Sequence, residues 1–158
     1  MKPRTLDFAA AAALPLTALT AWEALFDRLR VSPQGADAGK SVLIIGGAGG
    51  VGSIAIQLAK VLGKLHVIAT ASRPASAEWV RSLGADAVVD HFGDLPAQLR
   101  EAGHPNVDYV LIFNDTDRHF PAAAEVIRPQ GGICTIVENG KPVPVELLKA
   151  KSAAFHWE

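Results

Sequence analysis

The chain has 158 residues, 49% hydrophobic and 20% charged, with 15 Lys+Arg against 16 Asp+Glu and a net charge of −1. That length fits one domain able to bury a core without staples, and the balanced charge excludes a general polyanion binder, so no nucleic-acid partner is expected. The single cysteine, Cys134, excludes an internal disulfide and an all-cysteine metal site, and leaves a cytoplasmic location as the default.

Thr5-Leu6-Asp7 offers caps for a short helix from about Asp7 to Leu14, which Pro15 ends or restarts. The apolar stretch Phe8 to Leu19 is broken by Pro15 and falls short of the roughly 20 residues a bilayer requires, so no membrane segment is expected. A leader peptide is disfavoured because Asp7 interrupts its charged region. Leu19, Trp22, Leu25, Phe26 and Leu29 follow at helical spacing and predict one buried face. Ser32 to Gly35 reads as a loop.

From Ser41 onward short apolar runs alternate with helical patterns. Ser41–Ile45 predicts a buried strand, and Val51, Ile54, Ala55, Leu58 and Leu62 the inner face of the next helix, with Gly63 able to cap it. Leu65–Thr70 predicts the second strand, Ser76–Leu83 a helix ended by Gly84, and Ala87–Asp90 the third strand. Leu95–Glu101 predicts a short helix and Val107–Phe113 the fourth strand. Arg118–Arg128 predicts a helix started by Asp115, Thr116 or Asp117 and stopped by Pro129; Gly132–Val137 is the fifth strand and Ser152–Trp157 the sixth. Strands without polar alternation, separated by helices, predict an α/β fold with a parallel sheet covered on both faces.

Gly47-Ala48-Gly49-Gly50-Val51-Gly52 fits G-x-G-x-x-G directly after a predicted strand and at the start of a predicted helix. Glycine there permits a tight turn, close backbone approach to a pyrophosphate and close packing of helix on strand. The helix N-terminus adds N–H donors and a partial positive charge. This predicts a doubly wound Rossmann sheet of about six strands, order 3-2-1-4-5-6. Gly39-Lys40-Ser41 imitates the end of a P-loop, but Gly35 is misplaced by one residue and the segment precedes its strand.

The end of the second strand selects the nucleotide. An NAD site places Asp or Glu about 20 residues beyond the glycines. Ala71-Ser72-Arg73 stands there instead, a hydroxyl and a guanidinium suited to a 2′-phosphate, so NADP(H) is the expected cofactor. A loop merely decorated by Ser72 and Arg73 is the competing reading. A methyltransferase binding S-adenosylmethionine would also want the missing carboxylate. Short-chain dehydrogenase catalysis needs Tyr with Lys four residues on; Tyr109 is followed at that spacing by Phe113.

LPLTALTAWEAL, SVLIIGGAGGVGSIAIQLAK, ATASRPASAEWVRSLGADAVVDH and IRPQGGICTIVE together resemble the medium-chain dehydrogenase/reductases, closest to the quinone-oxidoreductase-like enzymes labelled zinc-type alcohol dehydrogenases. The likeness covers nearly the whole chain but only that family's coenzyme domain. It implies linker helices at 1–32, a Rossmann core at 41–158, and a GroES-like catalytic domain outside this chain. The chain is then expected to be an excised domain with Met1 an added start. A family zinc ligand, a cysteine four residues before the threonine of T-A-W, corresponds here to Leu16. The five histidines are scattered without ligand spacing. No zinc is therefore expected.

The resemblance implies hydride transfer from NADPH to a quinone, enone or other carbonyl in the whole enzyme. This part alone is expected to bind cofactor and turn over little, because no acid, base or nucleophile in it reads as catalytic. A non-enzymatic dinucleotide-binding redox sensor is the alternative. Gly47, Gly49, Gly50, Val51 and Gly52 are expected at the pyrophosphate, and Phe113 and Asn114 at the crevice, with core packing an equal reading for Phe113. His91 stands beside the adenine or in a solvated loop. By resemblance Thr20 lies near the nicotinamide, or serves as a helix N-cap, and Thr17 is a weaker candidate. Val137 and Glu138 resemble the stretch that holds the carboxamide. Phe155 and His156 act likewise or belong to an edge strand, 152–157, that pairs with a second copy in a homodimer. Trp22 and Trp79 are expected as helix-face packing, and Cys134 as an inert core residue.

Overall fold

The computed structural model describes residues 3–158. Its apolar runs form the strands β1 (Ser41–Ile45), β2 (His66–Thr70), β3 (Ala87–Val89), β4 (Val107–Ile112), β5 (Ile127–Thr135) and β6 (Ala154–Trp157). All neighbours pair in parallel, in the order 3-2-1-4-5-6. Successive residues of a strand point to opposite faces, and β1 supplies both cores. Val42 and Ile44 join one buried cluster, Leu43 and Ile45 the other.

Helices cover each face. α3 (Gly50–Val61) and α4 (Pro74–Ser82) bring Ala55, Ile56, Ala59 and Val80 to the first cluster; α5 (Leu95–Glu101) and α6 (Thr116–Val126) bring Leu99, Phe120 and Ala123 to the second. Each fully buried Leu or Ile contributes about 1.5–3 kcal/mol. A sheet fed on both faces needs no alternation of polar residues, which is why the strand sequences lack it. Leu62 closes α3, and the left-handed residue beyond it is Lys64 (φ 56°), while Gly84 (φ 109°) follows α4 as its sequence position predicts.

The N-terminal helices depart from the sequence reading. Asp7 caps α1 (Phe8–Ala12), its carboxylate accepting from the Ala10 N–H at 2.7 Å. Pro15 sits in the first turn of α2 (Leu14–Trp22), where its missing N–H costs nothing, so it restarts the helix. The chain continues as a π-helical segment, Glu23–Arg28, with the Leu29 N–H donating to the Ala24 carbonyl. Of the predicted face Leu25, Phe26 and Leu29 are buried, beside Ala21 and Ala24, whereas Leu19 (56% exposed) and Trp22 (40%), in the preceding α2, lie outside, which corrects that part of the expectation. The helical stretch Phe8–Arg28 is 21 residues long and contains an 18-residue window of mean hydropathy 1.4. By length and composition it suffices to cross a membrane, correcting the expected shortfall, while its inner residues Ala21, Ala24 and Leu25 pack into the sheet's first core.

The second half of the chain also departs from the sequence reading. α4 begins at Pro74, earlier than predicted, and α6 ends at Val126, with β5 starting at once at Ile127. Pro129 is therefore no helix stop. It lies in a bulge between the pairs Val107–Ile127 and Tyr109–Gly132, where Gln130 takes a left-handed φ of 61°. The bulge carries Arg128 to Asp108, whose buried carboxylate also accepts from the Ser41 N–H at 2.8 Å. β5 ends at Thr135. A 3₁₀ helix, Val145–Lys151, was not predicted. It places the Lys151 ammonium on the Ala124, Glu125 and Ile127 carbonyls at 2.9, 2.5 and 2.8 Å, capping the end of α6. Ser152 is left-handed (φ 47°), so β6 starts two residues later than expected.

Candidate functional site

At the carboxyl end of β1 the chain turns sharply into α3. Gly46 has φ 86°, a left-handed position that favours glycine. The Gly46 N–H donates to Thr70 Oγ1 at 3.0 Å, and the Gly49 N–H returns to the Gly46 carbonyl at 3.1 Å. Gly49 is the extended N-cap residue, so Gly50, Val51 and Gly52 are the first residues of the helix, whose N–H groups have no partner within it.

The other glycines are needed for space. A Cβ on Gly47 would stand 2.9 Å from Ala69 Cβ, and one on Gly52 would fall on the carbonyl oxygens of Gly46 and Gly47. A Cβ on Gly50 would meet Thr17 Cγ2 at 3.2 Å, so α2 lies directly against the turn. The turn thus packs backbone against backbone and presents the unpartnered first N–H groups of α3, an arrangement suited to an anion.

A crevice of about 590 Å³ opens beside this turn, at the point where the sheet order reverses between β1 and β4. Gly46, Ala48 and Gly49 form one wall; Thr70, Ala71, Ser72 and Arg73, at the end of β2, form the next. Ser76 on α4, His91 and Phe92 after β3, and Phe113 and Asn114 after β4 complete it. Among the described residues Arg73 is its one lysine or arginine, and no Asp or Glu lines it. The His91 ring stacks on Phe92 at 4.4 Å between centroids, and the Arg118 guanidinium covers Phe92 at 4.8 Å. Burial holds the nearby His119 imidazole below the usual histidine range, and Arg118 and His91 reinforce the shift.

The structure therefore brings Gly49, Ser72, Arg73, His91, Phe113 and Asn114 together, with Gly47, Gly50, Val51 and Gly52 forming the adjoining turn. Thr20 lies inside α2 and its hydroxyl donates to the Leu16 carbonyl at 3.0 Å, so it is no N-cap. Thr17 bonds the Ala13 and Leu14 carbonyls. Val137 and Glu138 line a separate hollow with Trp157 and Glu158, and the Val137 carbonyl accepts from Thr116 Oγ1 at 3.2 Å. The Phe155 ring packs edge-on against Phe120 at 5.0 Å and Trp157 at 4.3 Å, away from the crevice. On the other face of β6, burial lowers His156, as do Arg30 and Arg28. Gly46, Ala48, Thr70, Ala71, Ser76 and Phe92 were not singled out in the sequence. Gly46 had a signal, standing beside Gly47 at a strand end, and Ser76 lies one helical turn after Arg73. Phe92, 61% exposed in a loop, had none.

Metal donors do not converge. Among the described residues no three of His, Cys, Asp and Glu are placed to hold an ion. Cys134 is buried in mid-strand, where burial pushes its thiol up to about 12, and Leu16 offers no donor.

A family model described as zinc-binding dehydrogenase matches residues 50–154. A zinc-type alcohol dehydrogenase-like protein of Staphylococcus epidermidis is 45% identical over 157 residues, covering 99% of this chain and 46% of that protein. The NADPH-dependent alkenal/one oxidoreductase of Arabidopsis thaliana is 53% identical over 92 residues, 58% of this chain and 22% of its own. Among solved structures, a protein described as a zinc-dependent alcohol dehydrogenase from Rhizobium etli superposes with TM-score 0.91 at 48% identity, over 99% of this chain and 46% of that one. The quinone oxidoreductase of Thermus thermophilus, solved also with NADPH, superposes with TM-score 0.80 at 27% identity, over 99% and 48%. The chain spans about half the length of the curated relatives it matches over nearly all its residues.

Proposed function

Since the chain belongs to the zinc-binding dehydrogenase family, within the medium-chain dehydrogenase/reductases, we propose that it is the NADP(H)-binding domain of an oxidoreductase that passes hydride to a quinone, enone or other carbonyl. One observation carries the cofactor choice: Arg73 stands at the end of β2 in a crevice that no carboxylate lines among the described residues. A carboxylate there would hold a ribose 2′-hydroxyl and repel a 2′-phosphate; a guanidinium does the reverse. The relatives named for NADPH support the same reading.

The residues fit the cofactor. Gly47 and Gly52 let the turn close against Ala69 and against the Gly46 and Gly47 carbonyls, and the first N–H groups of α3 have no partner within the helix, which suits them to an anionic phosphate. Gly49, Gly50, Val51 and Gly52 would hold the pyrophosphate, and Ser72 and Arg73 the 2′-phosphate. His91 would stand at the adenine, and Phe113 and Asn114 would wall the ribose on the β4 side. When bound, the cofactor supplies the hydride; the protein's part is position and electrostatics. Thr20, Val137 and Phe155 remain candidates for the nicotinamide end, the last two through their backbone. No step is derived through zinc, because the described residues assemble no donor set for it.

In this reading 1–32 form the linker, helical from Phe8 and with Met1 and Lys2 outside the described residues, and 41–158 the coenzyme core. The substrate is bound by a GroES-like domain of a longer protein, which works in the cytoplasm. β6 at the sheet edge pairs with a second copy. Calorimetric titration of the chain with NADPH and NADH side by side tests the core of the proposal. Tighter binding of NADPH is expected; tighter binding of NADH, or binding of neither, would overturn it.

A further inference from the structure

The two halves of the nucleotide crevice lie on different elements. The glycine turn belongs to α3, while Ser72, Arg73 and Ser76 belong to the start of α4. The α4 end is lightly held. Residues 72–75 are exposed, Arg73 caps the helix without a side-chain bond, and of α4 only Val80 is fully buried. A guanidinium recognises a phosphate only when its support fixes it to within about 0.5 Å.

One side chain ties this end to the turn. Trp79, 49% exposed, donates its indole N–H to Ser53 Oγ at 2.9 Å. Ser53 follows Gly52 directly, and its own N–H donates to the Gly49 carbonyl at 2.8 Å. Trp79 stands one helical turn after Ser76, which lines the crevice. An indole half open to water is poor core packing. Its hydrogen bond reaches the first turn of α3 and so links the helix that Arg73 begins to the glycine turn.

We propose that Trp79, through Ser53, is a positioning residue that sets the preference of the crevice for NADPH over NADH. The inference rests on the cofactor reading above. Titration of the chain and its Trp79→Phe, Ser53→Ala, Ser53→Thr and double Trp79→Phe/Ser53→Ala variants with both nucleotides tests it.

Trp79→Phe and Ser53→Ala should each weaken NADPH by about threefold to tenfold and leave NADH unchanged. The double variant should lose no more than either single one, and Ser53→Thr should keep the preference. Equal losses for both nucleotides, additive losses in the double variant, or no loss of NADPH would overturn the inference while the cofactor reading stands. A wild-type chain that binds neither nucleotide, or prefers NADH, would overturn both.

Discussion

Gly46 and Thr70 end neighbouring strands and are joined across them: the Gly46 N–H donates to Thr70 Oγ1 at 3.0 Å. Thr70 is buried, so no water replaces it easily. Thr70→Val keeps the shape and removes the acceptor. The orphaned N–H should cost about 1–3 kcal/mol of stability, read by denaturant unfolding, and NADPH binding should weaken with it. An unchanged midpoint would show that the turn is held by other contacts.

Gly52→Ala forces a methyl onto the carbonyl oxygens of Gly46 and Gly47. These belong to the rigid backbone, so the turn must open. We expect a loss of about 1–3 kcal/mol and loss of measurable binding of both nucleotides, whatever their 2′ substituent. Retained NADH affinity would mean that the pyrophosphate is held elsewhere.

Arg73→Ala should act differently, because the Arg73 side chain is exposed and makes no cap hydrogen bond to α4. Charge-assisted bonds contribute roughly 1.5–3 kcal/mol, so NADPH should weaken about ten- to hundred-fold. NADH and the melting temperature should be unchanged. Equal losses for the two nucleotides would remove the 2′-phosphate assignment.

His119 provides a pH test. Burial, then Arg118 and His91, hold its folded pKa below the ordinary value of 6.5. A lowered pKa means that the unfolded chain takes up the proton first. The stability is therefore complete above about pH 6.5 and is lost as pH falls through the lower folded value. His119→Gln should flatten this part of the stability profile between neutral and mildly acidic pH. His104, lowered by burial and then by His66, contributes in the same direction and should leave a residual slope.

A chelator should leave nucleotide binding by this chain unchanged, since no three donors converge among the described residues. Weaker binding after chelation, restored by added zinc, would contradict that expectation.

The sheet order and the glycine turn were legible because each rests on a local rule. SVLII and VDYVLI are long enough to be buried strands, and glycines stand where backbone meets backbone. The end of α6 was not legible. Arg128, Pro129 and Gln130 read as a polar helix end, yet they form a bulge whose purpose, bringing Arg128 to Asp108, exists only once β4 and β5 pair. The π-helical segment hid as well, since Leu19 and Trp22 keep helical spacing with Leu25, Phe26 and Leu29 yet lie in α2 before the turn widens and stay exposed. At the site, Arg73 and His91 could be placed by counting from strand ends. Thr70 could not, because its role depends on which amide lies across from it. The direction of the Phe155 ring was equally hidden, being set by Phe120 on a distant helix.

β1 is paired on both edges and covered on both faces, and Val42 to Ile45 are almost wholly excluded from solvent. Its amides should exchange with deuterium only when the whole molecule unfolds. The glycine turn grows directly from that strand and shares its footing, whereas residues 72–75 hang from the exposed end of α4. The crevice thus joins a wall that opens last to a corner that opens early. A bound dinucleotide touching both should slow exchange most at the corner, where the free protein has the most protection to gain.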